Sequence, residues 1–404
     1  MSYSSSKNTY AFEAAKNEAA SVIQQHLGEI DGLRFELPPP GIDADLAIPC
    51  FPLAKVLRKN PSAIATELAA ILVWPDDGLI ERAEGLSGYL NLYYRTDQFV
   101  RRVLLEVSEM EGEYGKGVQG IGQTVVIDFS SPNIAKPMSV GHLRSTLIGD
   151  ALYRIYRFLG YHCVGINHLG DWGTQFGKLI VSYERWGNED ALSREPIREL
   201  LRLYVEFHER AAKEPDLEEE GRNAFRRLET GDPEACKLWE HFRSLSLQEF
   251  ERIYQLLGVH FDHWTGESAY NKDSGPLISE ALEKEVAVES EGALIIPLED
   301  QGIETPLVLR KRDGTSLYST RDLAAARLRI DRYRPTLMIY VVGAEQKLHF
   351  QQLFAALRKL GYAGVRLQHV DFGLMSLPEG KMSTRAGRVI FLEEVIREAV
   401  DRAK

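Results

Sequence analysis

The segment Ser130-Ser-Pro-Asn-Ile-Ala-Lys-Pro-Met-Ser-Val-Gly-His142 holds the first residues suited to chemistry. It follows a β-branched run, Thr124 to Phe129, and precedes apolar residues at helical spacing from His142 to Leu159. A strand-to-helix loop offers unpaired N–H groups and the positive end of a helix dipole, a combination that favours phosphate. Gly141 allows close backbone approach. His142 can donate to a phosphate oxygen, and Lys136 adds charge. Read by spacing alone, the same loop serves equally as a Pro-rich connection with a helix cap.

Three further segments carry chemistry-bearing residues. Asn167-His-Leu-Gly-Asp-Trp-Gly-Thr-Gln-Phe-Gly177 follows a second strand. Its glycines and its carboxylate suit a nucleoside laid against backbone, or else a tight turn with Trp172 in the core. Gly380-Lys-Met-Ser-Thr-Arg-Ala-Gly387 is a Gly-flanked basic loop. Lys381 and Arg385 there could close over a polyphosphate, although isolated basic loops are more often solvated surface. A dispersed set, Asp128, Asn133, Tyr318, Asp322 and Gln346, sits near strand ends. Two carboxylates with amide and phenol partners could hold a planar guanidinium by paired hydrogen bonds. Taken singly, each reads as a cap or a surface residue.

These residues need a frame. Strand, loop, helix and strand between Thr124 and Ile166 form a βαβ unit, which predicts a parallel sheet with helices on its faces. Ligands of such sheets sit at the C-terminal strand edge, and the first two segments and the dispersed polar set fall near strand ends. Before it, Ala11 to Leu27 and Pro61 to Ala70 read as amphipathic helices and Leu86 to Tyr94 as a strand. Gly112 to Gly122 reads as a linker. Gly187 to Gly258 reads as charged helices broken near Pro196, Pro215 and Pro233. Asp313-Gly314 signals a hairpin between two β-rich arms. Asp322 to Tyr333 reads as a short helix, Leu337 to Val342 as a buried strand, and Leu392 onward as a helix.

Composition narrows the class. Hydrophobic residues at 44% and charged residues at 26% are ordinary for a globular chain. No run is long and apolar enough to read as a membrane span, and the polar start carries no signal core. Cys50, Cys163 and Cys236 lie far apart, which argues against a zinc knuckle or a disulfide framework and fits a reducing cytoplasm. A net charge of −11 leaves RNA binding to local patches.

Together the segments resemble the arginyl-tRNA synthetase family. Ser131-Pro-Asn-Ile-Ala-Lys-Pro137 with Val140-Gly-His-Leu-Arg-Ser-Thr146 is similar to that family's form of the class I "HIGH" signature. His168-Leu-Gly-Asp-Trp-Gly-Thr-Gln-Phe-Gly177 is a family marker, Leu317-Tyr-Ser-Thr-Arg-Asp322 resembles its arginine-site helix start, and Lys381-Met-Ser-Thr-Arg385 resembles the "KMSKS" loop. Gly88-Tyr-Leu-Asn91 looks like the end of the family's N-terminal domain.

The resemblance implies an α/β fold. A Rossmann-like parallel-sheet catalytic domain over 122–391, with a helical insertion near 178–237 and a strand-rich one near 266–315, follows a small α+β domain over 1–112 that contacts the tRNA elbow. It implies that L-arginine is activated with ATP to arginyl-adenylate and passed to tRNA-Arg, with Mg²⁺ accompanying ATP, no protein-bound zinc, and neither membrane nor DNA as partner. His142, Lys381, Lys136, Ser139 and Arg385 would be catalytic. Gly141, His142, Gly170, Asp171, Gln175, Lys381, Met382 and Ser383 would hold ATP. Asp128, Phe129, Ser130, Asn133, Ser139, Tyr318, Asp322 and Gln346 would hold arginine, and Tyr89 and Asn91 would meet tRNA.

Two departures stand out. Ser139 replaces the signature's first histidine, and a hydroxyl is shorter and cannot become cationic. The family also continues into a helical anticodon-binding domain, of which Leu392 to Lys404 would be the start. The competing readings are another nucleotidyl transferase, a catalytically weak or silent paralogue that binds RNA or protein, and a truncated catalytic fragment.

Overall fold

The computed structural model describes residues 10–28, 33–312, 318–373 and 390–404. Two compact units divide the chain, residues 1–116 and 117–404.

In the first unit, α1 (Ala11–Leu27) is followed by β1 (Leu46–Pro49), α2 (Phe51–Leu57) and α3 (Pro61–Ile71). Then come β2 (Ile80–Leu86), β3 (Tyr89–Tyr94) and α4 (Thr96–Met110). The strands form an antiparallel sheet with β3 in the centre. Where a single strand was expected from Leu86, the chain reverses. Ser87 and Gly88 both take positive φ, 52° and 84°, the conformation of a two-residue hairpin turn whose twist matches the flanking strands. Ala15, Ala19, Ile23, Leu53, Ile64, Leu68, Leu90 and Leu92 form this unit's core.

The second unit is built on five parallel strands in the order β11-β10-β4-β5-β6. Chain order is β4 (Thr124–Asp128), α5 (Val140–Phe158) and β5 (His162–Leu169). Five helices follow, α6 (Thr174–Trp186), α7 (Glu189–Arg194), α8 (Pro196–Ala211), α9 (Asp216–Glu229) and α10 (Pro233–Leu257). Next come β6 (His263–Gly266), α11 (Ser274–Glu283), β7 (Val288–Ser290), β8 (Ala293–Ile296), β9 (Leu307–Arg310) and α12 (Tyr318–Tyr333). The chain ends with β10 (Leu337–Gly343), α13 (Lys347–Lys359), β11 (Arg366–Phe372) and α14 (Leu392–Ala403).

β4 is apolar throughout because both its faces are covered. Val125 and Ile127 face a core shared with α6 to α10, whereas Val126 faces a second core with β8, β9 and α11 to α13. Pro196 and Pro233 stand in the first turns of α8 and α10, where the missing N–H costs nothing. α10 runs unbroken to Leu257, so a boundary at residue 237 would cut through a helix. The Asp313-Gly314 hairpin lies outside the described residues, and its expected second arm is helical from Tyr318. The antiparallel pairings here are β7 with β8 and β8 with β9.

Candidate active site

From β4 the chain crosses to β5 on one side, while β10 lies against β4 on the other. The strand order reverses between β4 and β10, and at such a point a crevice opens at the C-terminal edge of the sheet. A cavity of about 220 Å³ occupies it, lined among others by Asp128, Asn133, His168, Gly170, Glu267, Tyr318, Asp322, Arg329, Tyr340 and Gln346. Asp128, Asn133, Tyr318, Asp322 and Gln346, scattered in sequence, thus line one cavity.

The loop from β4 to α5 is bent hard. Ser130, Ser131 and Ala135 have φ of 72°, 51° and 60°, a conformation L-residues adopt only where the surroundings impose it. Side chains supply that imposition. Ser145 Oγ accepts from Ser130 N–H at 2.8 Å, Asn167 Oδ1 from Ser131 N–H at 3.1 Å, and Ser246 Oγ from Ala135 N–H at 2.8 Å. Asn133 bridges to Gly170 in the next strand's extension, and a Cβ on Gly170 would lie 2.1 Å from Asn133 Oδ1.

Several expected ligands turn out to support the site. Phe129 is fully buried against Phe261 and Gly149. Ser130 is buried, its Oγ 2.7 Å from Thr146 Oγ1 and 2.6 Å from Tyr254 Oη. The Asp171 carboxylate is fully buried and accepts from Ser268 N–H and Oγ at 2.8 and 2.7 Å. It ties the β5 loop to the turn after β6 and has no free face for a nucleoside. Trp172 packs edge-on against Phe225 and Trp239. Gln175 donates to Trp172 O at 3.1 Å, closing the start of α6. In the first unit, Asn91 is 1% exposed because β3 is the central strand, so its side chain presents no surface to RNA, whereas Tyr89 beside it is half-buried. The common reason is that sequence shows polarity and not direction.

Asp128 also differs from expectation. Its Oδ2 accepts from Arg329 Nη1 at 2.6 Å and its Oδ1 from Ser131 Oγ at 3.0 Å. A guanidinium of the chain itself already neutralises it. Glu267, which the sequence reading missed, points into the cavity and is paired with Arg321 at 3.1 Å. Burial pushes its carboxyl above the ordinary value, with Arg321 opposing and the Asp322 charge adding to the push. No local spacing could have revealed Glu267, which belongs to a turn in the β6–α11 connection.

Asp322 has no such arginine. His349 Nε2 lies 2.9 Å from its Oδ2, and His168 Nε2 lies 3.6 Å from its Oδ1. Burial disfavours the charge, but the two imidazoles outweigh it and hold the carboxyl well below the usual range. Tyr318 stands one turn before Asp322 on α12, its ring 4.8 Å from that of His349. Burial and the neighbouring carboxylates push its phenol up, so it stays neutral, able to donate through O–H and to accept at its oxygen.

At the start of α5, Ser139 is the N-cap. Its N–H donates to His142 Nδ1 at 3.0 Å, and its Oγ lies 3.2 Å from the same atom. Because Nδ1 accepts, the neutral ring carries its proton on Nε2. Burial, with Lys136 adding, lowers the His142 pKa and favours that neutral form. Lys136 itself rests with its ammonium 4.8 Å from the Tyr204 ring centre. Gly141 is in the first turn of α5. Lys381, Met382, Ser383 and Arg385 lie outside the described residues. The chain on either side of them is fixed to α5 and to the residues just before it. Arg144 Nη1 donates to Gly373 O at 2.6 Å, Val140 N–H to Ile390 O at 3.3 Å, and Leu392 N–H to Met138 O at 2.9 Å. Among the described residues, no cluster of three or more His, Cys, Asp or Glu could hold a metal ion, and no helix is long and apolar enough to cross a membrane.

Comparison with known proteins identifies the family. Residues 107–404 match the model of the class I tRNA synthetase (R) catalytic domain, and residues 11–94 match that of the arginyl tRNA synthetase N-terminal domain. The chain is 49% identical over 396 residues to an arginine–tRNA ligase of Exiguobacterium sibiricum, covering 96% of this chain and 70% of that protein. It is 46% identical over 393 residues to one of Clostridium perfringens, covering 96% and 69%. In fold it resembles the arginyl-tRNA synthetase of Plasmodium falciparum, with TM-score 0.67 and 22% identity over 98% of this chain and 69% of that one. The Thermus thermophilus enzyme gives TM-score 0.61 and 23% identity over 96% and 70%. Signature loop, reversal-point cavity, family models and relatives converge, and the chain belongs to the arginyl-tRNA synthetase family.

Proposed function

We propose that this chain is an arginine–tRNA ligase whose arginine site is the cavity between Asp322, Glu267, Tyr318 and Asn133. One observation carries the reading. Of the carboxylates lining that cavity, Asp128 and Glu267 are each matched by a guanidinium of the chain, and Asp322 is not. The cavity therefore holds one carboxylate free of a protein guanidinium, which is what a monocationic side chain requires. Glu267 and Tyr318 add acceptors at its edges, and Gln346 stands at the mouth.

The reaction joins arginine's carboxylate to the α-phosphate of ATP, releasing pyrophosphate, and then passes the arginyl group to the terminal adenosine of tRNA-Arg. It needs no covalent link to the protein, so catalysis is alignment and charge stabilisation. His142 donates through Nε2–H to the phosphoryl oxygens, with Ser139 holding its other nitrogen. Gly141 and the N-terminus of α5 offer backbone N–H groups to the same anion. We assign Lys381, Ser383 and Arg385 to the departing pyrophosphate, since both ends of their segment are anchored on α5. Lys136 joins them if it leaves Tyr204. Gly170, its N–H and C=O held by Pro132 and Ile134, leaves room for the adenosine by having no side chain, and Tyr89 offers its ring to tRNA. Mg²⁺ enters on the triphosphate, and the enzyme works in the cytoplasm.

ATP–pyrophosphate exchange tests the reading, run with arginine, lysine or citrulline and with or without tRNA-Arg. Exchange that depends on arginine is expected. Equal exchange with citrulline, or none under any condition, would sink it, the second outcome favouring a silent paralogue.

A further inference from the structure

Asp322 is the lining carboxylate that imidazoles approach to ion-pair distance, and the Glu267 charge also feels His168. His349 comes from α13 and His168 from the end of β5, so two separate elements deliver them to one carboxylate on α12. Both ring nitrogens of His168, and Nε2 of His349, are buried without an aligned hydrogen-bond partner.

Imidazole is the side chain whose charge ordinarily changes between pH 5 and 8. A neutral imidazole leaves the Asp322 charge to a ligand. A protonated one is itself a cation at ion-pair distance and competes with a guanidinium for the same oxygens. The other groups facing Asp322 do not replace this effect. On α12 itself, Tyr318 is a phenol pushed above its ordinary value, and Arg321 is engaged by Glu267. Arg329 of α12 is engaged by Asp128 of β4. Tyr340 of β10 is likewise a phenol pushed up by burial. Glu267, from the turn after β6, is the other group whose protonation would weaken a cation site, and its carboxyl is raised by burial.

We propose that His168 and His349 are positioning residues that place a proton gate on the arginine site. When neutral they orient Asp322 toward the guanidinium, and when protonated they take its charge and arginine leaves. The inference rests on the reading of Asp322 as the guanidinium ligand.

Calorimetry of arginine binding to the full chain from pH 7.5 to 5.5, in two buffers of different ionisation heat, reads both affinity and protons released. Arginine's guanidinium and carboxylate do not titrate in that window. We expect affinity to fall by up to about tenfold per pH unit for each imidazole that protonates, with proton release on binding at the acid end. His349→Gln keeps an N–H for Asp322 without titrating, so its slope is shallower. The His168→Gln/His349→Gln double variant loses the slope whatever its affinity at pH 7.5. Glu267→Gln keeps it. Wild-type affinity that stays flat with no proton release overturns the gate. So does a slope that survives in the double variant and disappears in Glu267→Gln. If the double variant does not fold, wild-type proton release decides. Failure of the underlying reading looks different: Asp322→Asn would bind arginine as tightly as wild type at pH 7.5, or wild type would not bind it at all.

Discussion

The proposed mechanism gives recognition to Asp322 and reaction to His142. Truncating one partner of a buried, hydrogen-bonded charge pair costs ~2–5 kcal/mol. We therefore expect Asp322→Asn to weaken arginine binding by at least about 30-fold in calorimetry. Unchanged affinity would move the site elsewhere. The same carboxylate makes a pH prediction for stability. Its folded pKa is depressed by the two imidazoles, despite burial. Its contribution is therefore present above the ordinary carboxyl value and is lost as pH falls below it toward the folded pKa. Between pH 5 and 3, urea melts should show wild type losing more stability than Asp322→Asn. His142 acts later. His142→Ala should slow adenylate formation by ~10²–10³ while leaving arginine affinity within a few-fold, because one lost donor to a developing charge has that size of effect. Single-turnover kinetics set against calorimetry separate the two, and equal losses in both would make His142 a binding residue.

At the scale of elements, the site depends on where α5 and α12 are held. Ser139 caps α5 and grips His142, so its replacement of a histidine is not a simple loss. Ser139→Ala should cost ~1 kcal/mol of stability, as cap removals do. It should also slow activation, because His142 loses a neighbour on Nδ1. Denaturant melts and exchange assays would show both, and an unaffected rate would confine Ser139 to capping. α5 lies close to β4 because Gly149 faces Phe129. A Cβ there would meet the ring at 2.2 Å. Gly149→Ala is expected to destabilise by ~1–3 kcal/mol through overpacking. α12 is joined to β4 by Arg329 and Asp128, at 2.6 Å in the buried sheet edge. Arg329→Met strands the carboxylate and should cost ~3–5 kcal/mol. Asp128→Asn in that background should recover part of the loss. A double-variant melt no better than the single one would show that the pair is not coupled.

For the whole molecule, the three cysteines report on packing. Cys50 and Cys163 are buried, each thiol pushed up to about 11 by burial. Cys236 is half-buried. The native chain should therefore react at one thiol with a disulfide reagent at neutral pH, and all three should react in denaturant. Fast reaction of two or three thiols would mean that the cores of one or both units open readily.

The sequence by itself determined the parts whose information is local. The run Thr124 to Phe129, the helical spacing after His142 and the signature loops specify a parallel-sheet enzyme, because period and loop chemistry are written along the chain. Those same loops carried the family resemblance. Direction and partnership were left to tertiary structure. Asp128 and Asp322 look alike in sequence, yet Arg329, 201 residues from Asp128, claims the first, while two histidines from other elements face the second. Glu267 and His349 carried no local signal: Glu267 reaches the cavity that opens where the sheet order reverses, and His349 stands behind it against Asp322. Asn91 and Asp171 are polar and buried, and only the assembled sheets show which way they face. A charge's effect depends on what stands within a few ångströms of it and on how far water is excluded, and both are set by residues distant in the chain.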